Sequence, residues 1–454
     1  MLTRRLFILF AASAGFAAVS AQRPAWSQGL DGLRGAIDIA PYGLTPDATV
    51  DQGDALNRLL RDAASSGLQA VLPAGDYVVS GVNLPDGIDL SGTAGATRLI
   101  HAGGRFALSG RNLKRARLSG LSIDGAAQPL GAEAGGLLHL ENIAAMTIED
   151  CTITGSSKHG IHADGCGGRL SGNRITAAGM AGLYALDSRA LSITGNIVSD
   201  CGNGGILVHR QTAGEDGTMI AGNRVTRIAA TEGGTGENGN GINLFRTANV
   251  MVTGNHVSDC AFSAIRANAA SNVQIADNQC LRSGETAIYA EFGFEGAVVS
   301  DNLIDGAANG ILIVNFNDGG RLAVVSGNLV RNLKEDGPYV HDGAGFGFGI
   351  AVEADTVVSG NIIENAPKYG LMLGWGPYLR NVVATGNLVR AAQIGCAVTV
   401  VEEAGTALIA DNLFQDVPGG GIVGFRWNDK ATGDLMAAGA ETFRHLTLQG
   451  NRIA

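Results

Sequence analysis

A short phrase recurs eleven times along this chain: an apolar, alternating run, then Gly or Asp, then Asn, then an apolar residue two places beyond. The asparagines are Asn173, Asn196, Asn223, Asn255, Asn278, Asn302, Asn328, Asn361, Asn387, Asn412 and Asn451. Eight follow Gly and three follow Asp, and the position two after each is apolar throughout, from Ile175 and Val198 to Phe414 and Ile453. Successive asparagines are never closer than 23 residues, and longer spacings read as the same unit with loops inserted. Self-similarity at such a period specifies a solenoid, in which each repeat buries its apolar face only by stacking on its neighbours.

A second phrase lies between the asparagines: a small residue, an aliphatic one, then alternation. Gly160-Ile161, Gly182-Leu183, Gly205-Ile206, Gly241-Ile242, Ala264-Ile265 and Ala287-Ile288 are examples, and Ala163, Ala185, Val208, Leu244, Ala267 and Ala290 follow two places later. Apolar residues two apart, with freer positions between them, are strand periodicity. Each repeat therefore holds at least two short strands divided by Gly, Asn and Asp turns.

A tight turn in the left-handed backbone region favours Gly or Asn. A stacked column of side-chain amides can also hydrogen-bond from coil to coil and satisfy polar groups beside an apolar core. On these residues the chain resembles the right-handed parallel β-helix of the pectin-lyase-like superfamily, with its internal asparagine ladder, over roughly residues 68–454. The resemblance implies an all-β solenoid; at about 4.8 Å per coil, a dozen coils make a rod on the order of 60 Å long. Sixty-eight glycines, 5% aromatic and 16% charged residues suit a narrow aliphatic core with many turns.

Three segments follow. Residues 1–27 read as an export signal, since Thr3-Arg4-Arg5-Leu6-Phe7-Ile8-Leu9 matches the twin-arginine pattern and an Ala-rich stretch follows. This places the protein in the periplasm or outside the cell, with no membrane partner after signal removal. Residues 28–80 are a preface with a helix beginning near Asp51 or Asp54 and apolar residues Ala55, Leu56, Leu59, Leu60, Ala63 and Ala64 on one face. It resembles the N-terminal helix that plugs the coil stack in many pectate-lyase-like proteins, and the two aspartates read as helix caps. Residues 81–454 are the repeat domain, with Arg426 to Glu441 a candidate cover for its far end. The combination resembles the twin-arginine-exported β-helix repeat proteins of bacteria, a group with no assigned activity.

Six cysteines in an exported chain suggest disulfides. Here Cys280 occupies an inward column, and Cys201 and Cys260 fall where other repeats carry Ala178, Ile228 and Leu333, so they read as buried thiols. Cys166, in a Gly-rich turn, has no place in the alignment.

Function must come from the outward columns of the Gly-Ile strands, since a fold does not supply it. One column reads His162, Tyr184, Leu207, Asn243, Arg266, Tyr289; the next reads Asp164, Leu186, His209, Phe245, Asn268, Glu291, Val314, Glu353. Arg210 and Arg246 stand just beyond. Aromatics beside amides and charges suit a sugar polymer, with its apolar ring faces and hydroxyl edges. Insertions at residues 229–240, 333–348, 211–217, 315–320 and 374–380 would wall a groove there. The expected partner is thus a polysaccharide, bound by Tyr184, Arg210, Asn243, Phe245, Arg246, Asn268 and Glu353.

Two chemistries fit. Elimination or epimerisation of a uronide needs a cation against the carboxylate and a base near the α-proton, roles open to Arg266, Arg246, Arg210, His209 and Tyr289. Hydrolysis needs two carboxylates, and Glu291 with Glu353, two coils or about 9–10 Å apart, suits an inverting arrangement. The alternative is a non-catalytic polysaccharide-binding or envelope scaffold protein, because the polygalacturonase and calcium pectate-lyase motifs are missing. The pattern Lys158-His159-Gly160-Ile161-His162 reads as an ordinary repeat turn. No cofactor or zinc spacing is expected, and calcium has no supporting loop motif. The formal charge of −10, deepened by two if Arg4 and Arg5 leave with the signal, disfavours nucleic acid. The oligomeric state is open.

Overall fold

The computed structural model describes residues 35–340 and 343–454. The twin-arginine signal reading falls on residues 1–27, outside the described residues. From Ala70 onward the chain winds as a right-handed parallel β-helix of about 14 coils. Each coil contributes three short strands to three parallel sheets. In the first sheet Ile161, Leu183, Ile206, Ile242, Ile265 and Ile288 are in register from coil to coil. In the second, Leu170, Ile193, Ile220, Val252 and Ile275 align, and in the third, Ile175, Val198, Val225 and Val257. All of these side chains are fully buried, so the core is a stack of aliphatic layers. The alternating run before each asparagine is the second strand and the residues just after it are the third.

Between those two strands lies the ladder. The Asn278 Oδ1 accepts from the backbone N–H of Asn255 at 2.9 Å and from its Nδ2 at 3.0 Å. The Asn278 Nδ2 in turn donates to the carbonyl of Val252 and to the Asn302 Oδ1, each at 3.0 Å. The same pattern runs from Asn173 to Asn451, and it opens at Cys151, whose N–H donates to the Asn173 Oδ1 at 3.0 Å. The left-handed turn residue is the Gly or Asp before each asparagine, as at Gly172 (φ 66°) and Asp277 (φ 59°), not the asparagine itself. The two needs of the turn are split between neighbours: one residue supplies backbone freedom and the next supplies the amide.

Both ends are covered. The helix Gly53–Ser66 buries Leu56, Leu59, Leu60 and Ala63 against the first coils. Its start is held by Asp51, which accepts from the Gly53 N–H at 2.8 Å and the Ser80 N–H at 3.1 Å, while Asp54 lies in the first turn. At the other end Asp429–Asp434 folds back antiparallel on Ile422–Arg426, and the Asp434 carboxylate accepts from the Gly421 and Ile422 N–H groups. This hairpin occupies the edge of the last first-sheet strand, while Leu446–Gln449 and Arg452–Ile453 are the last described strands of the other two sheets.

All six cysteines are free and buried. Cys166 points inward at the entrance to the second sheet, where its N–H donates to the Ser188 Oγ at 3.1 Å. Burial pushes the thiols of Cys151, Cys166 and Cys201 up to about 11, so they are small hydrophobes and not nucleophiles. Among the described residues, no helix is long and apolar enough to cross a membrane.

Replacing Asn278 by Ala removes four hydrogen bonds and strands the buried amide of Asn255. The expected cost is roughly 3–5 kcal/mol, read as a lower denaturation midpoint in urea. A loss under about 1 kcal/mol would mean that the ladder does not hold the coils.

Candidate functional site

The outward side of the first sheet carries the polar columns. Asn243, Arg266 and Tyr289 are cross-strand neighbours on three successive coils, and beside them run His209, Phe245, Asn268 and Glu291 on four. Long insertions fold over this face, so that Asn243, Arg266, Glu291 and Glu353 are all under 8% exposed. The sheet therefore has a second, polar interior on its outer side.

At its centre is an ion cluster. The Arg266 Nε donates to the Glu291 Oε1 at 2.6 Å, and its Nη1 lies 3.5 Å from the Glu285 Oε2. Asn268 donates a second hydrogen bond to Glu291 at 2.8 Å. Glu285 accepts from the Tyr339 hydroxyl at 2.8 Å and the Ser263 hydroxyl at 3.1 Å. The Arg266 guanidinium sits 5.1 Å from the Tyr289 ring centre. Burial, and then the neighbouring Glu291 and Glu285 carboxylates, push the Tyr289 hydroxyl far above its ordinary range, so it stays a phenol and is a poor base. A buried cation already paired with carboxylates has little charge left for a ligand.

Two cavities flank the cluster along the coil axis. One of about 400 Å³ is lined by His209, Asn243, Phe245, Arg266, Asn268 and Phe292, under the loop Thr235-Gly236-Glu237. Gly236 is required there: its φ is 138°, and a Cβ would stand 1.7 Å from the Arg266 Nη1. The His209 Nε2 and the Asn243 Oδ1 are buried without hydrogen-bond partners among the described residues. Burial alone lowers His209 to about 4, which keeps its imidazole neutral. The second cavity, about 270 Å³, is lined by Glu285, Tyr289, Asn309, Tyr339, Glu353 and Trp375, among others. Burial raises the Glu353 carboxyl to about 7, against the opposing hydrogen bond that it accepts from the Phe316 N–H at 2.6 Å. Glu353 is thus poised to exchange a proton near neutrality.

Aromatic rings continue the face in both directions. Toward the N-terminus Phe245, His209 and Tyr184 succeed one another at 5.6 and 5.3 Å between centres, and the row passes on to His162 and His139. Toward the C-terminus Phe348 stacks on Tyr369 at 5.5 Å and Phe425 lies tilted against Tyr369 at 5.2 Å, while Trp375 and Trp427 meet edge-on at 5.4 Å.

Of the residues singled out from the sequence, the structure brings together Arg266, Tyr289, Glu291, His209, Asn243, Phe245 and Asn268. Glu353 lies two coils beyond Glu291, across Val314, and lines the second cavity, whereas Glu291 turns back to Arg266 and lines neither. Arg210 and Arg246 tie down loop backbone instead, at the Thr212 and Gln211 carbonyls, and also line neither cavity. Sequence reasoning missed Glu285, Tyr339 and Trp375. Tyr339 and Trp375 stand in insertions that mark the groove walls, so an aromatic in a wall loop was the available signal. Glu285 precedes its strand, outside the alternating columns. Among the described residues, no group of three or more His, Cys, Asp or Glu is set to hold a metal ion.

Residues 136–330 match the protein family described as the right handed beta helix region. No curated protein matches the chain by sequence. Among solved structures the chain is similar to the A-module of a mannuronan C-5 epimerase from Azotobacter vinelandii, with 16% identity and a TM-score of 0.56 over 81% of this chain and 99% of that one. It is also similar to the pre-mature gene product 12 of bacteriophage phi29, with 14% identity and a TM-score of 0.57 over 93% of this chain and 58% of that one. At these identities the likeness is one of fold: the chain is a right-handed parallel β-helix.

Proposed function

We propose that this is an exported carbohydrate-active protein that lays a polysaccharide along the outward face of its first sheet, and that it hydrolyses an uncharged glycan there. The observation that carries the reading is Glu353, a carboxyl raised to about 7 in the wall of a cavity shared with Tyr289, Tyr339 and Trp375. A protonated Glu353 gives its proton to the glycosidic oxygen as the bond to the anomeric carbon breaks. Glu285, on the same cavity, takes a proton from the water whose oxygen bonds to that carbon. The neutral His209 and the amide of Asn243, unpartnered in the other cavity, meet sugar hydroxyls. Tyr184, Phe245, Trp375 and Trp427, which keep part of their rings exposed, offer apolar platforms for further sugar rings.

The sign of charge argues against a uronide. Among the described residues lining the two cavities, Arg266 is the one cation, against Glu237 and Glu285, with Glu353 adding negative charge only once it ionises. Arg266 is itself engaged by Glu291 and Glu285. A polyuronate carboxylate would meet excess negative charge, and the resting phenol of Tyr289 would have to ionise to act as a base. The epimerase named for mannuronan gives one case of a sugar polymer handled by this fold. The locking of Arg266 and Glu291 to each other favours a second reading, a groove that binds glycan without turnover.

The purified chain is to be incubated with neutral polymers (laminarin, dextran, galactomannan) and with alginate and polygalacturonate, following reducing ends and unsaturated uronate. New reducing ends from a neutral polymer, lost by about 100-fold or more in Glu353→Gln, are expected. Unsaturated uronate from either acidic polymer would overturn the hydrolase, and binding without cleavage would establish the second reading.

Glu353 also makes a stability prediction. Its folded value lies above the ordinary 4.5, so its contribution is full below 4.5 and is lost as pH rises through about 7. Glu353→Gln is therefore expected to raise Tm at pH 8.5 and to leave it nearly unchanged at pH 4.5. At full ionisation the gain is on the order of 3 kcal/mol. An equal shift at both pH values would contradict a carboxyl held protonated by burial.

A further inference from the structure

The second and third sheets, away from the groove, carry an apolar surface that the groove does not use. Over four successive coils the outward residue of the second sheet is Val298, Val324, Val357 and Val383. Across the asparagine turn the outward residue of the third sheet is Leu303, Leu329, Ile362 and Leu388, and the next coil extends both columns with Leu408 and Leu413. Val298, Val324, Val357 and Ile362 are 39–46% exposed. Three of the four turns between the columns are uncharged, with Gly327, Gly360 and Gly386 at the tip, and Asp301 occupies the tip of the first. Beside the patch Leu322 is 49% exposed on a left-handed backbone with φ 68°, a conformation costly for a leucine.

Charged rows border the patch on both sides. One reads Glu295, Arg321, Asp355, Arg380 and the other Asp305, Arg331, Glu364, Arg390; within the chain Glu295 pairs with Arg321, Asp355 with both Arg321 and Arg380, Asp305 with Arg331 and Glu364 with Arg390, with Asp355 one residue beyond the ladder position of Ala354. Both rows have the order minus, plus, minus, plus. From this pattern we propose that a second copy of the chain covers the patch, related by a two-fold axis that crosses the coil stack at right angles between the second and third of these coils. That axis reverses coil order and keeps each row on its own side. The first coil then faces the fourth and the second faces the third, so every carboxylate in both rows faces an arginine. An axis along the stack would instead set like charge against like charge at all four coils, so only the antiparallel pair is compatible. Asp301 faces the neutral Gly386 of the partner subunit.

Four coils at about 4.8 Å and a width of about 25 Å give about 500 Å² per copy, at the low end for a specific interface. The dimer therefore dissociates on dilution, and the rows set register more than affinity. It leaves both grooves open on the outer sides.

Sedimentation velocity of the full chain between about 1 and about 200 µM reads this directly. The expected result is one chain at the low end and twice that mass at the high end. Arg331 faces Glu364 of the partner subunit, so Arg331→Glu and Glu364→Arg should each weaken association by about ten-fold or more. The two together should return it to near the wild-type value. Arg321→Glu with Asp355→Arg repeats the cycle on the other row if the first pair alters the thermal melt. A monomer at every concentration, a trimer, single variants without effect, or double variants that fail to recover would each overturn the proposal.

Discussion

The amide ladder is the interaction on which everything else in this molecule depends. Each asparagine ties its own coil to the previous one through two bonds accepted at its Oδ1 and one donated to a carbonyl, and to the next through two donated to that coil's amide oxygen, inside a core that is otherwise hydrocarbon. Unmade, those bonds would leave buried polar groups whose cost exceeds any single apolar contact. The coils are therefore locked in register, and side chains at equivalent positions become rails about 4.8 Å apart. Residues as distant in sequence as His209 and Glu291 become near neighbours because their coils stack, without any loop having to bring them together.

On the first sheet the rails are put to an unusual use. Insertions roof them over, and Asn243, Arg266, Glu291 and Glu353 are buried although they are polar. That is costly, and the molecule meets the cost by pairing: Arg266 with two carboxylates, Glu285 with two hydroxyls, Glu291 with an amide. What is left unpaired stands out against this background. Among the described residues no cation pairs with Glu353, and His209 and Asn243 each carry a partnerless atom. Those groups line the two cavities, and of the paired charged ones Glu285 alone also lines the cavity that Glu353 lines.

The fold was legible in the sequence because inward columns repeat. Ile161 and Leu183 say the same thing eleven times over, and the asparagines announce the ladder. Even there a detail was hidden, since the left-handed residue is Gly172 or Asp277 and not the asparagine after it. The site was half legible. Periodicity locates outward residues such as Arg266, Tyr289 and Glu353, but it does not say which will pair off, and Arg210 and Arg246 carry the right charge yet hold loop backbone. Tyr339 and Trp375 stand in insertions whose path over the sheet no period encodes. Glu285 lies one step outside the alternation and is found only when Tyr339 is seen to reach it.

Hydrogen exchange of the purified chain, alone and with a saturating mixture of neutral glucans and mannans, tests the account most directly. The ladder amides of Asn196, Asn223, Asn255 and Asn278 should resist exchange in both samples, as one cooperative unit. The loops over the groove, at residues 229–239 and 343–347, should exchange fast alone and slow when the polymer is present. Protection confined to the second or third sheet, or protection given by alginate and not by the neutral polymers, would contradict a neutral-glycan groove on the first.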